Sequence, residues 1–269
     1  MPVCDVRAVT VRFGGVTALD GVTMELLEGE LVALIGPNGA GKTTLFNVLS
    51  GIQRPASGEI IFRTQAINDL DPSERASLGI GRTFQTPQAF GSLTVLDNLL
   101  LPGWLPRFGG VLTDLIPIPG AGRARRAARD RARGIASFLG IEDTLDLYPG
   151  ELPLGKRRLI ELARALSAEP KLLLLDEPAS GLDAVETARF AELLLRVRDV
   201  FQLTLLLVEH DMQLVLSIAD YLYVLNFGKL LAQGGPASVV SNPAVIAAYL
   251  GGDDTAGAPA GRPMGGATR

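Results

Sequence analysis

Residues 36–44 read Gly-Pro-Asn-Gly-Ala-Gly-Lys-Thr-Thr, a glycine-rich run ending in a lysine and two hydroxyls. The run fits the phosphate-binding pattern G-x-x-x-x-G-K-[ST]. Glycines let the backbone wrap closely and aim successive N–H groups inward, and a following helix adds the positive potential of its N-terminus. Lys42 would reach the β and γ phosphates of a nucleotide, and Thr43 would ligate magnesium. Gly36, Asn38, Gly39, Ala40, Gly41, Lys42, Thr43 and Thr44 are therefore the expected phosphate cradle.

A second chemical signal is Asp176-Glu177-Pro178, directly after the apolar run Leu172–Leu175. Ligands of open α/β sheets bind at the carboxyl ends of strands, so both acids should face the phosphates. Asp176 would hold magnesium, directly or through water. Glu177 would polarise the attacking water as general base, because phosphoryl transfer mostly needs positioning and charge neutralisation. Alone, an acidic pair after a strand is more often a solvated turn; the phosphate loop changes that balance. His210, the only histidine, follows the apolar run Leu203–Val208 and Glu209. A strand end shared with the loop and the acids makes it a candidate γ-phosphate contact. Gln85, in Gly81-Arg-Thr-Phe-Gln85, is a weaker signal, since a glutamine there is ordinarily a surface residue.

These residues need a scaffold, and the hydrophobic pattern describes one. Residues 3–13 and 19–27 alternate apolar and polar side chains around Gly14-Gly15, as an antiparallel edge sheet would. The apolar run Leu31–Ile35 leads into the loop, followed by a helical pattern over Leu45–Ser50 that stops at Gly51. A short strand is expected at Glu59–Phe62, and Pro72 should start a helix. From about Pro87 to Leu152 the chain turns helical, Pro-interrupted and Arg-rich. Alternation then resumes with a helix at 155–167, a strand at Leu172–Leu175, a helix at 185–200 and a strand at Leu203–Val208. Such alternation implies a mostly parallel sheet covered on both faces.

Composition sets the remaining bounds. The chain has 269 residues, net charge −4 and 47% hydrophobic residues, which suits a soluble globular unit and excludes dominant disorder. Cys4 is the only cysteine, so an internal disulfide framework and a thiolate metal cluster are both excluded. The start MPVCDVRAVTVRF shows no signal-peptide pattern, and no apolar run approaches the roughly 18 to 20 residues of a membrane span. The mild acidity gives no general reason to bind nucleic acid. A local basic cluster, Arg123, Arg125, Arg126, Arg129, Arg131 and Arg133, reads as a solvated helix face or as one lying near an anionic membrane surface.

Taken together, these motifs resemble those of the ATP-binding-cassette ATPases, and the resemblance runs through nearly the whole chain up to Gly251. The fold it implies is an α/β P-loop NTPase with a mostly parallel sheet, an N-terminal antiparallel β subdomain and an inserted helical subdomain. Residues 1–251 would form one domain, 1–86 and 160–251 its nucleotide-binding core and 87–159 the helical part, with a disordered tail at 252–269. The resemblance also places Phe13 where the family stacks an aromatic on adenine, and Gln85 where it senses magnesium and the transport partner. Leu152, Pro153, Leu154, Gly155 and Lys156 occupy the signature segment, Ser180–Asp183 the loop that crosses the dimer, and His210 the switch histidine. Such proteins work as head-to-tail dimers with ATP held between one subunit's phosphate loop and the other's signature segment.

Within the family, FGGVTALDGV, GRTFQ, the Pro- and Arg-containing insert after LTVLDNLLL, and the ending NPAVIAAYLG resemble the ATPase subunits of branched-chain amino acid importers. Importers of urea or amides, and the ATPase of lipopolysaccharide export, share several of these features; a soluble non-transport ATPase is further off, because neither long coiled coils nor a second cassette is present. The resemblance implies ATP and Mg2+ as cofactors. It also implies two integral-membrane permeases, a second ATPase subunit, identical or paralogous, and indirectly a solute-binding protein, with no nucleic-acid partner. The expected location is cytoplasmic, peripheral on the inner face of the cell membrane. The signature reads LPLGK where most members have Leu-Ser-Gly-Gly-Gln. Lys156 is then either a partial replacement for the lost hydroxyl or a surface residue.

Overall fold

The computed structural model describes residues 2–84, 89–104 and 121–250. Gln85 and the tail 252–269 lie outside the described residues. Strands β1 (Pro2–Phe13), β2 (Val16–Leu27), β4 (Ser57–Phe62) and β5 (Gln65–Ala66) form an antiparallel sheet in the order β2-β1-β4-β5. The alternation read from the sequence is interrupted here: register shifts between Val6 and Val9 bracket Ala8, which adopts φ 45°. Such a bulge re-aims the strand's side chains.

The larger sheet contains β3 (Leu31–Ile35), β6 (Ile80–Arg82), β7 (Leu172–Asp176), β8 (Thr204–Val208), β9 (Tyr221–Asn226) and β10 (Lys229–Gly234). Its order is β10-β9-β3-β8-β7-β6, parallel except for β10. Every residue of β3, β7 and β8 is buried, as parallel strands covered on both faces require. Side chains of β3 divide by parity. Leu31, Ala33 and Ile35 join a core with the helices α3 (Val95–Trp104), α4 (Ala121–Phe138), α5 (Leu154–Ser167) and α6 (Ala184–Phe201). Val32 and Leu34 join a second core with β1, β2 and α1 (Lys42–Leu49). Each fully buried leucine contributes about 1.5–3 kcal/mol, so the sheet is fixed from both sides.

Register decides function. Val208 pairs with Leu34 on one side and with Asp176 on the other, so the carboxyl ends of β3, β8 and β7 are level. Gly36, Glu177 and His210 consequently leave the sheet at one edge.

Helix α1 begins at Lys42, earlier than the apolar pattern alone suggested, because Gly41 at φ 105° turns the chain directly into it. Helix α2 (Pro72–Leu78) starts with proline at its first position and a capping box between Asp71 and Glu74. The short helices α7 (Met212–Ile218), α8 (Pro236–Val240) and α9 (Pro243–Leu250) complete the described chain. None of its helices is long and apolar enough to cross a membrane.

Candidate functional site

The loop 36–41 closes over the end of β3 through three left-handed glycines, Gly36, Gly39 and Gly41. Two of them are also sterically required. A Cβ on Gly36 would stand 2.1 Å from the Leu225 carbonyl oxygen, and one on Gly41 would stand 2.7 Å from that of Ala18. The neighbouring β9–β10 turn holds the loop from outside, with the Gly228 N–H donating to Ala40 O at 3.0 Å.

An open cavity of about 400 Å³ lies against this loop, walled by Asn38–Thr44, Glu177, Val208 and the hairpin residues Val16–Ala18. Lys42 at its floor is folded back: Nζ donates to Gly36 O at 2.6 Å and to Pro37 O at 3.0 Å. Partial burial lowers its pKa from the usual lysine value, against the pull of Glu177 and Asp176. A bound polyphosphate would take over those contacts and favour the charged form.

Glu177 occupies a turn with φ 45°, uncommon for a residue with a Cβ, and its N–H donates to Val208 O at 2.9 Å. That turn projects the side chain into the cavity beside Lys42. His210 Nδ1 lies 3.9 Å from Glu177 Oε2 and 3.7 Å from Glu209 Oε2, with the imidazole largely exposed. The structure therefore brings together Lys42, Thr43, Thr44, Asp176, Glu177 and His210.

The other expected residues divide. Phe13 is half exposed at the tip of the β1–β2 hairpin, where it pairs with Val16; Val16 rather than Phe13 borders the cavity. Asp183 caps α6, its Oδ1 accepting the N–H groups of Val185 and Glu186, each at 2.8 Å. Pro153 stands at the N-cap of α5 with no side-chain cap, leaving that helix's first amide groups to an outside acceptor. Leu154 packs on the 180–183 loop, and a Cβ on Gly181 would meet its Cδ2 at 2.8 Å. Lys156 is engaged within its own chain, donating to Gly140 O at 2.9 Å and Asp143 Oδ1 at 3.1 Å. It is thus neither a bare surface lysine nor aimed from the helix tip at an anion.

Three contributors escaped the sequence reading. Glu209 is a buried carboxylate that accepts from the backbone N–H of Ala179 at 3.0 Å and of His210 at 3.2 Å, and burial raises its pKa. Phe227, at φ 45° and highly exposed, borders the cavity beside Gly228. An aromatic before glycine in a hairpin turn was the available signal. Tyr249 of α9 carries a phenol whose pKa is raised by burial, an effect the nearby Gly36 backbone partly offsets.

Glycine loop, strand-end acids and histidine on one parallel edge define a nucleotide-dependent ATPase cassette. Comparison agrees: the family model described as ABC transporter matches residues 19–180, and the chain belongs to that family. A second model, described as branched-chain amino acid ATP-binding cassette transporter, matches residues 229–255. The high-affinity branched-chain amino acid transport ATP-binding protein LivG of Escherichia coli K12 is 41% identical over 250 residues, covering 93% of this chain and 98% of that protein. The equivalent protein BraF of Pseudomonas aeruginosa is 38% identical with the same coverage. The ADP conformation of MJ1267, an ATP-binding cassette of an ABC transporter, superposes with a TM-score of 0.81 at 33% identity, covering 93% of this chain and 99% of that one.

Proposed function

We propose that this chain is the ATP-hydrolysing subunit of an importer for branched-chain amino acids. It works with a second cassette beneath two permease subunits at the inner face of the cell membrane, and a solute-binding protein delivers the substrate outside. The observation that carries this reading is the level edge of β3, β7 and β8, which sets Lys42 and Glu177 on one cavity with His210 3.9 Å from Glu177. The similarity to LivG and BraF over 93% of the chain supports the solute class.

The loop amides and Lys42 hold the β and γ phosphates, and Glu177 receives a proton from water as the water oxygen bonds to phosphorus and the β–γ bridge breaks, releasing ADP and phosphate. His210, close to Glu177, is placed to contact the γ-phosphate and to report its loss. The uncapped N-terminus of α5 offers its amides to the ATP of the partner cassette. Magnesium fits the residues present: Thr43 and Asp176 supply hard oxygen donors, and that ion usually completes its shell with water and substrate phosphates. When bound it neutralises charge developing on the phosphates.

The similarity does not favour the alternative of a related urea or amide importer. Uptake of leucine, isoleucine, valine, urea and amides, measured in parallel in a strain lacking only this gene, tests the assignment. Loss of branched-chain amino acid uptake alone is expected; selective loss of urea or amide uptake would overturn the solute assignment.

A further inference from the structure

The signature helix α5 carries two buried charged residues one turn apart, Arg158 and Glu161, which none of the expected ATP contacts explains. Their spacing puts both on one face of the helix. Glu161 Oε1 accepts the backbone N–H of Phe84 at 2.8 Å. Arg158 donates from Nη1 to the carbonyl oxygen of the same Phe84 at 3.4 Å, and from Nη2 to Ser180 O at 3.0 Å. The two side chains thus hold both polar backbone groups of the residue immediately before Gln85, and Arg158 also holds the turn that follows Glu177. That turn is gripped from its other side by Glu209 on the Ala179 N–H.

A cation buried against neutral carbonyls is an expensive way to pack a helix. Burial lowers the Arg158 pKa, partly offset by Glu161, Glu209 and Glu177, and its Nε is buried with no hydrogen-bond partner. An apolar side chain of similar volume would fill the space at less cost. What it could not do is join three segments that are far apart in sequence through a planar, forked donor.

We propose that Arg158 and Glu161 are positioning residues that couple the signature helix to the Glu177 turn and to the strand leading into Gln85, so that ATP held in the chain's own site alters the signature segment presented to its partner. The inference rests on the proposed ATPase reading. It places no new group on the substrate; it assigns the connection between two half-sites that lie on one chain but serve different nucleotides.

The test uses the full chain with Glu177→Gln, which is expected to retain ATP in a closed dimer, and adds Arg158→Met, Glu161→Leu or Glu161→Gln. ATP affinity, melting temperature and the ATP concentration for half-maximal dimerisation are measured for each. Arg158→Met and Glu161→Leu should raise that concentration about tenfold with ATP affinity of the monomer unchanged, the size expected for lost hydrogen bonds to charged groups. Glu161→Gln keeps an acceptor for the Phe84 N–H and should restore most of the closure. Dimerisation at the parent's ATP concentration in both disrupted variants would overturn the coupling role alone. Parallel loss of melting temperature and ATP affinity, or a Gln variant no better than Leu, would overturn it as merely structural. A parent that binds ATP without dimerising would overturn the ATPase reading and the coupling role with it.

Discussion

Arg82 Nη2 and Asp176 Oδ2 meet at 3.0 Å, with both side chains nearly sealed from solvent. The same guanidinium donates from Nη1 to Asn47 Oδ1 at 2.7 Å and Ser50 Oγ at 2.9 Å, and lies over the rings of Phe46 and Phe84. The carboxylate expected at magnesium is thus oriented by an arginine that also touches the far end of the phosphate helix.

Removing only one member of that pair should be costly. Arg82→Met is expected to lower stability by about 3–5 kcal/mol, because it strands a buried carboxylate. Combining it with Asp176→Asn should recover part of the loss, a non-additivity that urea denaturation of the double-mutant cycle would measure. Additive losses would show that the contact contributes little.

Glu177→Gln should lower ATP turnover by about 10²- to 10⁴-fold while retaining nucleotide binding, the range for loss of a general base. Lys42→Ala should instead lose affinity, since it removes the cation at the cavity floor that a bound polyphosphate would draw from the Gly36 and Pro37 carbonyls. Equilibrium binding and single-turnover hydrolysis separate the two. Wild-type turnover in the Gln variant would remove Glu177 from its role.

Burial raises the Glu209 pKa above its ordinary value of 4.5. The folded state therefore binds that proton more tightly than the unfolded state, so the contribution is full below 4.5 and disappears as pH rises through the raised folded value. Glu209→Gln cannot titrate. Its melting temperature relative to wild type should improve as pH is raised from acid toward neutrality, and a flat difference across that range would contradict the sign.

Phe90 is exposed, and its backbone is fixed from both sides by Asn98, which accepts from its N–H at 2.8 Å and donates to its carbonyl at 3.1 Å. A half-exposed ring on fixed backbone, with the Arg164 guanidinium 5.7 Å from its centroid, suits a permease's cytoplasmic helix. Phe90→Asp should abolish transport by the assembled complex while sparing basal ATPase activity. Equal loss of both would mean a folding defect.

The exposed guanidinium groups of Arg125, Arg126 and Arg129 border a cavity of about 680 Å³ with Leu93, Leu100 and Leu101. Each basic residue at an anionic bilayer contributes about 1 kcal/mol, so replacing all three by Gln should weaken vesicle binding about a hundredfold at low salt. Cosedimentation with anionic and zwitterionic vesicles measures this, and unchanged binding would leave the stripe as a solvated face.

The loop at 36–41 and the helix after it are legible because their geometry is local: spacing along nine residues already implies a loop turning into a helix. Asp176, Glu177 and His210 were legible because an apolar run fixes where each strand ends. Less was visible where distant segments meet. Neither Arg82 nor Glu209 has a neighbour in sequence that reveals its partner, since Asp176 and Ala179 reach them only through sheet register. Strands β6, β9 and β10 were not read individually, β6 being three residues long and the other two lying beyond the last alternation read. In the sequence Lys156 reads as either a partial replacement for the lost signature hydroxyl or a surface residue. Its actual partners, Gly140 and Asp143, sit on a separate turn that no pattern in the signature segment announces.

Tyr249 sets the last described helix beside the opening turn of the glycine-rich loop, where the Gly36 backbone lowers the phenol's pKa against the raising by burial. Tyr249 lies within residues 229–255, the stretch matched by the branched-chain amino acid subfamily. The portion of the chain matched by the subfamily therefore borders the loop that the wider family model also spans. A chimera that exchanged this terminal segment for that of another importer would also exchange the side chain standing beside Gly36, and its ATP affinity is the property in which that exchange would register.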